Sequence, residues 1–182
     1  MNKLLKDKIL LFRLSIRKDP DAFGKVYDEY ISRIYRFIYF KVSREEEAQD
    51  LASETFLKAW QHIQEGKSVK RISSFLYSIA RNLVIDHYRK KMFTIEAGEA
   101  DAAGMLKGDT KQNTQTENKQ EYSVLLVAMS KLKEEYKEVV QLRYLDELSI
   151  GEIADVLGKS KGAVRVTLHR ASKNLRGICD KK

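Results

Sequence analysis

A short stretch near the C-terminus decides the fold class: residues 149–176 read SIGEIADVLGKSKGAVRVTLHRASKNLR. Ser149 and Glu152 have the spacing of a capping box, which predicts a helix that begins after Ser149. Gly158 is a suitable left-handed residue to end that helix, and Ser160 is a suitable N-cap for the next one. Two helices joined by so short a turn form a helix-turn-helix. With the apolar spacing upstream, the C-terminal part is predicted to contain helices at 124–132, 134–146, 150–157 and 161–176.

The last of these helices has two chemically different faces. Val164, Leu168, Ala171 and Leu175 recur at spacings of three and four and predict a buried stripe. The opposite face has no acidic residue and suits a DNA major groove, because arginine can hold a guanine edge and valine can contact a thymine methyl. The alternative is an ordinary helical hairpin with a basic side. The candidate DNA-binding residues on this face and at its start are Ser160, Lys161, Gly162, Arg165, Val166, His169, Arg170 and Lys173.

Composition excludes several other classes. The chain has 182 residues, of which 33% are charged, with one proline, nine glycines and a net charge of +8. So few turn-forming residues disfavour a many-stranded sheet. The longest apolar run, residues 124–129, is far shorter than the roughly 18 residues of a membrane span. We read no secretion signal at the N-terminus and therefore predict a cytoplasmic protein without membrane insertion.

Charge is unevenly distributed along the chain. Residues 1–91 contain 19 basic and 12 acidic side chains, net +7; residues 92–121 contain 3 and 6, net −3; and residues 122–182 contain 12 and 8, net +4. The acidic middle has the composition of a linker and no apolar period. The predicted fold is therefore all-α, with two small helical domains joined by a flexible acidic linker, and the basic balance suggests a polyanionic partner.

The N-terminal part has the signals of three long helices. Asp19-Pro20-Asp21 is a typical helix start, and Ser43-x-x-Glu46 has the spacing of a capping box for a second helix. The third helix is predicted from Ser73 or Ser74 to Lys91. The apolar set expected inside the second helix comprises Ala48, Leu51, Ala52, Thr55 and Ala59, with Phe56, Trp60 and Ile63 beside it.

The third helix is predicted to have a core side and a nucleic-acid side. Leu76, Ile79, Ala80, Leu83 and His87 share the core side, so that His87 is expected to be a packed core histidine. Exposed tyrosines interleaved with arginine and an amide offer what unpaired bases need, namely ring faces, phosphate partners and a base-edge contact. A surface helix that happens to be basic is the alternative. The other side carries Tyr77, Ser78, Arg81, Asn82, Tyr88 and Arg89.

Other candidate sites are weaker. Asp50 and Glu54 lie one turn apart on the solvent side of the second helix, and spacing alone favours a plain surface pair. The three histidines, His62, His87 and His169, are scattered, and the single cysteine has no partner in the chain. We therefore predict no metal, no cofactor, no small-molecule substrate and no catalytic residue.

Four segments, in this order along the chain, are similar to those of one protein family. They are DPDAF (19–23), DLASETFLKAW (50–60), SFLYSIARNLVID (74–86) with Arg89, Lys90 and Lys91 after it, and the paired strings LSIGEIADVLG (148–158) and VRVTLHRA (164–171). In these segments the chain resembles the extracytoplasmic-function sigma factors of bacterial RNA polymerase.

The resemblance implies a division of tasks. Residues 1–91 would be a region 2-like domain that binds core polymerase and the minus-10 element, residues 92–121 a linker through the polymerase cleft, and residues 122–182 a region 4-like domain that binds the duplex minus-35 element. The implied core-binding residues are Asp50, Glu54, Phe56 and Trp60. The implied residues for single-stranded minus-10 DNA are Lys67, Lys70, Arg71, Tyr77, Arg81, Asn82, Tyr88, Arg89 and Lys90.

The sequence also departs from the family and leaves alternatives open. The family commonly has Gln at Ser53, Pro at Lys133, Gly at Glu147 and Arg at Thr167; Ser53 and Thr167 put one polymerase contact and one phosphate contact in doubt. A free-standing helix-turn-helix regulator would explain the C-terminal part but not the 50–60 segment. A nuclease lacks the necessary residues. An anti-sigma partner is common in the family, and these residues leave open whether this chain has one.

Overall fold

The computed structural model describes residues 3–42, 44–96, 129 and 131–179. Within these ranges the secondary structure is helical and contains no strand, which confirms the predicted all-α class. The chain divides into two compact units, Met1–Asp109 and Thr110–Lys182. The helices are α1 (Lys3–Arg17), α2 (Pro20–Val42), α3 (Glu45–Gln64), α4 (Ile72–Glu96), α5 (Glu134–Val140), α6 (Ile150–Leu157) and α7 (Lys161–Cys179), and a π-helical turn, Gln141–Leu145, follows α5 directly.

In the first unit, α2, α3 and α4 pack against one another, and α1 contacts α2 and α3. The α1–α2 corner confirms the predicted start of α2. Asp19 Oδ1 accepts hydrogen bonds from the backbone N–H groups of Asp21 and Ala22, at 3.0 and 3.3 Å. Its other oxygen, Oδ2, accepts from Arg13 at 2.6 Å and so joins the end of α1 to the start of α2.

The predicted start of α3 is wrong in its details. The N-cap is Arg44, and its side chain makes no capping hydrogen bond. Ser43, which was expected to open a capping box, lies outside the described residues. Three glutamates in the first turn, Glu45–Glu47, place negative charge where the helix dipole favours it.

Helix α4 extends past its predicted end. It runs to Glu96, whereas the sequence interpretation ended it at Lys91. Residues 92–96 contain neither glycine nor proline, so nothing in the local sequence stops the helix there. The rest of the predicted linker, and most of the predicted helix at 124–132, lie outside the described residues.

In the second unit, α5 and α6 both pack against α7. The capping box is present, because Ser149 Oγ accepts from the backbone N–H of Glu152 while Glu152 accepts from that of Ser149. Gly158 is left-handed, with φ of 62°. Ser160 Oγ accepts from the backbone N–H of Ala163 at 3.1 Å, so the predicted helix-turn-helix signals are confirmed.

The turn that precedes α6 carries one unfavourable residue. Glu147, at the position where the family commonly has glycine, adopts a positive φ of 55°. A left-handed conformation costs a non-glycine residue about 1 kcal/mol. The predicted helix 134–146 is present as α5 and the π-helical turn, which widens its last turn before Asp146.

Candidate nucleic-acid interface

The solvent side of α3 carries the two acidic candidates. Asp50 and Glu54 are exposed, and Glu54 pairs with Lys58 of the next turn at 3.0 Å. Leu57, one turn beyond Glu54, is 57% exposed on the same side. This leucine was not among the residues predicted from the sequence; its place outside the apolar face of α3 was the signal that could have found it. A single exposed leucine is common on protein surfaces, so Leu57 adds apolar area here without by itself marking an interface.

The expectation that Phe56 contacts a partner is wrong. Phe56 is only 3% exposed, and its ring packs against those of Tyr27 and Phe23, with centroids 4.8 and 6.4 Å away. Because α3 packs against both α2 and α4, its buried arc is wide enough to include this side chain. Trp60 is half-buried, 4.9 Å from the ring of Phe23, and keeps part of its surface in solvent.

Tyr77 was predicted on the exposed side of α4, and this prediction is also wrong. The side chain is fully buried, and its ring meets Phe37 of α2 edge-on at 5.1 Å. Helix α4 contacts two helices, so its buried arc covers more than the single stripe that the sequence interpretation assumed. Tyr77 therefore belongs to the core and offers no ring face to a base.

The remaining candidates on α4 are accessible to different degrees. Asn82, Tyr88, Arg89 and Lys90 are exposed, and Arg81 is half-buried. The Tyr88 hydroxyl donates to the backbone carbonyl of Lys41 at the end of α2, while its ring stays exposed. Tyr88 thus keeps the ring face that stacking on a base requires.

The loop that precedes α4 is basic and exposed. Lys67, Lys70 and Arg71 all lie in it and are exposed. Lys67 Nζ lies 2.5 Å from the carboxylate of Glu65, and this hydrogen bond holds the pKa of Glu65 below its ordinary value. Part of the charge of Lys67 is therefore already neutralised, while the loop as a whole stays positive.

A cleft of about 240 Å³ opens between α3 and α4. The rings of His62 and Phe75 meet there at 4.8 Å, and Asn82 is one of the lining residues. Aromatic rings beside an amide can stack on a base and bond its edge. The lining residues are Lys58, His62, Phe75, Ile79, Asn82, Leu83 and Asp86.

His87 does not lie in the core as expected. Its side chain is partly exposed, and its Nε2 lies 3.2 Å from Oε2 of Glu47 on α3. The apolar packing of α4 ends near Val84, so a histidine one turn later meets the polar start of α3 instead of apolar side chains.

The basic face of α7 has the predicted arrangement. Val164, Leu168 and Ala171 are buried and Leu175 is half-buried. Thr167 is buried as well and donates its hydroxyl to the carbonyl of Ala163, so that this position faces inward. The exposed residues along this face and at its start are Ser160, Lys161, Gly162, Arg165, Val166, His169, Arg170 and Lys173.

The chain matches two family models, "Sigma-70 region 2" over residues 26–94 and "Sigma-70, region 4" over residues 122–175. It is 31% identical over 189 residues to the "ECF RNA polymerase sigma factor SigW" of Bacillus subtilis (strain 168), covering 97% of this chain and 97% of that protein. The chain belongs to the extracytoplasmic-function sigma factors.

A second relative of this sigma factor is longer. The "ECF RNA polymerase sigma factor BldN" of Streptomyces coelicolor is 34% identical over 161 residues, and the match covers 86% of this chain but 60% of BldN. Two solved structures share the fold. The first is CnrH in complex with the cytosolic domain of CnrY, with a TM-score of 0.69 and 21% identity, and it covers 97% of this chain and 98% of that one. The second is the sigma factor RpoE from Bartonella quintana in complex with the anti-sigma factor NepR, with a TM-score of 0.71 and 19% identity, and it covers 87% of this chain and 96% of that one.

Two further observations concern the described part of this sigma factor. None of its described helices is long and apolar enough to cross a bilayer. Among the same residues, no three His, Cys, Asp or Glu side chains are grouped so that they could hold a metal ion.

Proposed function

We propose that this sigma factor directs core RNA polymerase to specific promoters and helps to melt the minus-10 element, acts in the cytoplasm, and has no catalytic activity of its own. One observation carries the proposal. The chain combines a helix-turn-helix whose second helix, α7, carries no acidic residue with a separate four-helix unit that has exposed carboxylates on α3 and exposed cations on α4. A free-standing DNA-binding regulator would need only the first of these.

The α3 surface is the proposed contact with core polymerase. Asp50 and Glu54 supply exposed negative charge, and Leu57 adds apolar area beside them. Trp60, half-buried one turn further on, extends this surface. Charge complementarity of this kind fixes the register of an interface and speeds association.

The α4 surface is the proposed contact with the melted minus-10 strand. The α3–α4 cleft can receive one extruded base, with Asn82 at its wall. Stacking on the ring of Tyr88 would offset part of an unstacking cost of a few kcal/mol. The cations proposed to hold the phosphates are Lys67, Lys70, Arg71, Arg81, Arg89 and Lys90.

The α7 face is the proposed reader of the minus-35 duplex. Arg165 and Val166 lie in the first half of the helix, which in a helix-turn-helix approaches the base edges. Lys173 lies further along and is proposed to hold the backbone. The other proposed contacts are Ser160, Lys161, Gly162, His169 and Arg170.

The proposed division of the chain follows from these surfaces. Residues 1–91 form the domain for polymerase and minus-10 binding, and α4 extends that domain by residues 92–96. The remainder of 92–121 is proposed to be the acidic linker that runs through the polymerase cleft, and 122–182 the minus-35 domain. An anti-sigma factor is a further proposed partner, because relatives of the same fold were solved with such proteins.

Run-off transcription with purified core polymerase on a promoter library tests the proposal. We expect selective initiation from a subset of promoters, and co-purification of the chain with core polymerase. The double variant Asp50→Asn/Glu54→Gln should reduce both selective initiation and co-purification. The control variant Asp28→Asn/Glu29→Gln, which changes a pair of exposed carboxylates on α2, should reduce neither of them. Duplex binding without polymerase association would instead support the free-standing regulator.

A further inference from the structure

The end of α4 that carries the proposed DNA-reading cations is not held by apolar packing. Val84 is the last residue of this helix in the buried core of the described chain. Beyond it, the aliphatic and phenyl side chains that the structure describes are exposed: Ile85 by 46%, Met92 by 62% and Phe93 by 67%. Helix propensity alone does not fix where such a segment lies relative to its neighbours.

Polar contacts from the two other helices hold this segment. Glu47, in the first turn of α3, places Oε2 3.2 Å from His87 Nε2 and Oε1 3.3 Å from Lys91 Nζ. The Tyr88 hydroxyl donates to the Lys41 carbonyl at the end of α2. The His87 Nε2 atom lies close to Glu47 but forms no hydrogen bond with it. Tyr88 and Lys91, which are hydrogen-bonded to α2 and α3, thus bracket Arg89 and Lys90, which are exposed.

Glu47 is better placed for this task than an ordinary surface carboxylate. Its side chain is 20% exposed, and that of Lys91 is 27% exposed, so solvent screens the pair less than it screens a fully exposed one. Glu47 is followed by Asp50 three residues later, and Asp50 by Glu54 four residues later. These spacings place all three carboxylates along one side of α3.

We propose that Glu47 is a positioning residue, which holds the second half of α4 so that Arg89 and Lys90 meet the unpaired minus-10 strand. This inference rests on the proposed function. Glu47 touches neither DNA nor polymerase in this role. It connects the helix proposed to dock on polymerase with the helix proposed to read DNA.

The test compares Glu47→Gln with Glu46→Gln in holoenzyme reconstituted from the full chain and core polymerase. Both variants remove one negative charge from the first turn of α3, but only Glu47 contacts α4. The probe is a single-stranded oligonucleotide with the minus-10 non-template sequence of a promoter that the native holoenzyme transcribes. We expect about three- to tenfold weaker binding for Glu47→Gln, the range for losing a partly screened charged contact, and no change for Glu46→Gln.

Two further measurements separate positioning from a general loss of stability. Affinity for core polymerase should be the same for both variants, and the loss of oligonucleotide binding should persist well below the unfolding temperature. His87→Ala removes one contact from the α4 side, and adding it to Glu47→Gln should cause little further loss, because the two changes break the same interaction.

Each outcome has a separate meaning. Unchanged oligonucleotide binding in Glu47→Gln, or equal losses in polymerase and oligonucleotide affinity, would overturn the positioning role. If Glu47→Gln does not fold, full binding by the double variant His87→Ala/Lys91→Met, which removes both contacts of Glu47 on α4, would overturn it in the same way. If the native holoenzyme itself fails to bind any minus-10 oligonucleotide, the proposed function is what fails.

Discussion

Helices α4 and α7 are both long and both carry exposed cations, yet different forces hold them. Helix α7 is set by local signals, since the cap at Ser160 and the left-handed Gly158 lie immediately before it. The reading end of α4 is set by residues far away in sequence, such as Glu47 and Lys41. Local signals can be read from a sequence, whereas distant contacts appear only in the folded chain.

The largest expected effect tests the core side of α4. Tyr77→Ala removes a fully buried ring that packs on Phe37, and we expect it to destabilise the first unit by about 3–5 kcal/mol. Phe93→Ala, in the same helix but 67% exposed, should change stability by less than about 0.5 kcal/mol. Denaturant unfolding followed by circular dichroism measures both. Equal small losses would mean that Tyr77 is not in the core.

The next effect tests whether α7 reads bases. Arg165→Ala should cost about 1–3 kcal/mol of binding at particular minus-35 base pairs and little at others. Lys173→Ala should weaken binding on all sequences and reduce its salt dependence. Both side chains are exposed, so neither change should lower stability. Binding titrations of holoenzyme on promoters with single base-pair substitutions, at several salt concentrations, measure both effects. An equal loss of affinity for Arg165→Ala on every promoter sequence would exclude a base-reading role.

The sequence predicts the second unit better than the first, and the reason is physical. The starts and stops around Ser149, Gly158 and Ser160 depend on hydrogen bonds and backbone conformations within a few residues, so spacing is sufficient to find them. The all-α class and the buried stripe of α7 follow from the same local periodicity.

Apart from the two helix boundaries at the start of α3 and the end of α4, the errors concern residues between packed helices. Tyr77 was expected to be exposed because α4 was assigned one buried stripe, whereas α4 packs against both α2 and α3. Phe56 was placed beside the buried set of its helix, and only the resemblance implied that it contacts polymerase. His87 was expected in the core because periodicity does not show where the neighbouring helix begins. The contact between Glu47 and Lys91 joins residues 44 apart in sequence, and no local pattern indicates it.

A smaller effect tests the role of local caps in each unit. Ser149→Ala removes the hydroxyl that accepts from the backbone N–H of Glu152, but it keeps the bond from its own backbone N–H to the Glu152 carboxylate; it should destabilise the second unit by about 1 kcal/mol. Arg44→Ala changes the N-cap of α3, whose side chain makes no capping hydrogen bond, and should have almost no effect on the first unit. Thermal unfolding of the two variants measures the difference. Equal losses would contradict the absence of a side-chain cap at the start of α3.

The smallest expected effect is the pH dependence of one ion-paired carboxylate in each unit. A hydrogen bond from Lys159 lowers the pKa of Glu135, and one from Arg13 lowers the pKa of Asp19. Because each folded pKa lies below its unfolded value, the stabilisation is present at neutral pH and is lost as the pH falls through the folded pKa. Lys159→Met should raise the pKa of Glu135 towards its ordinary value and leave the pKa of Asp19 unchanged. Arg13→Met should raise the pKa of Asp19 and leave the pKa of Glu135 unchanged. Carboxyl-carbon NMR titration measures both, and a Glu135 pKa that Lys159→Met does not raise would show that the ion pair is absent in solution.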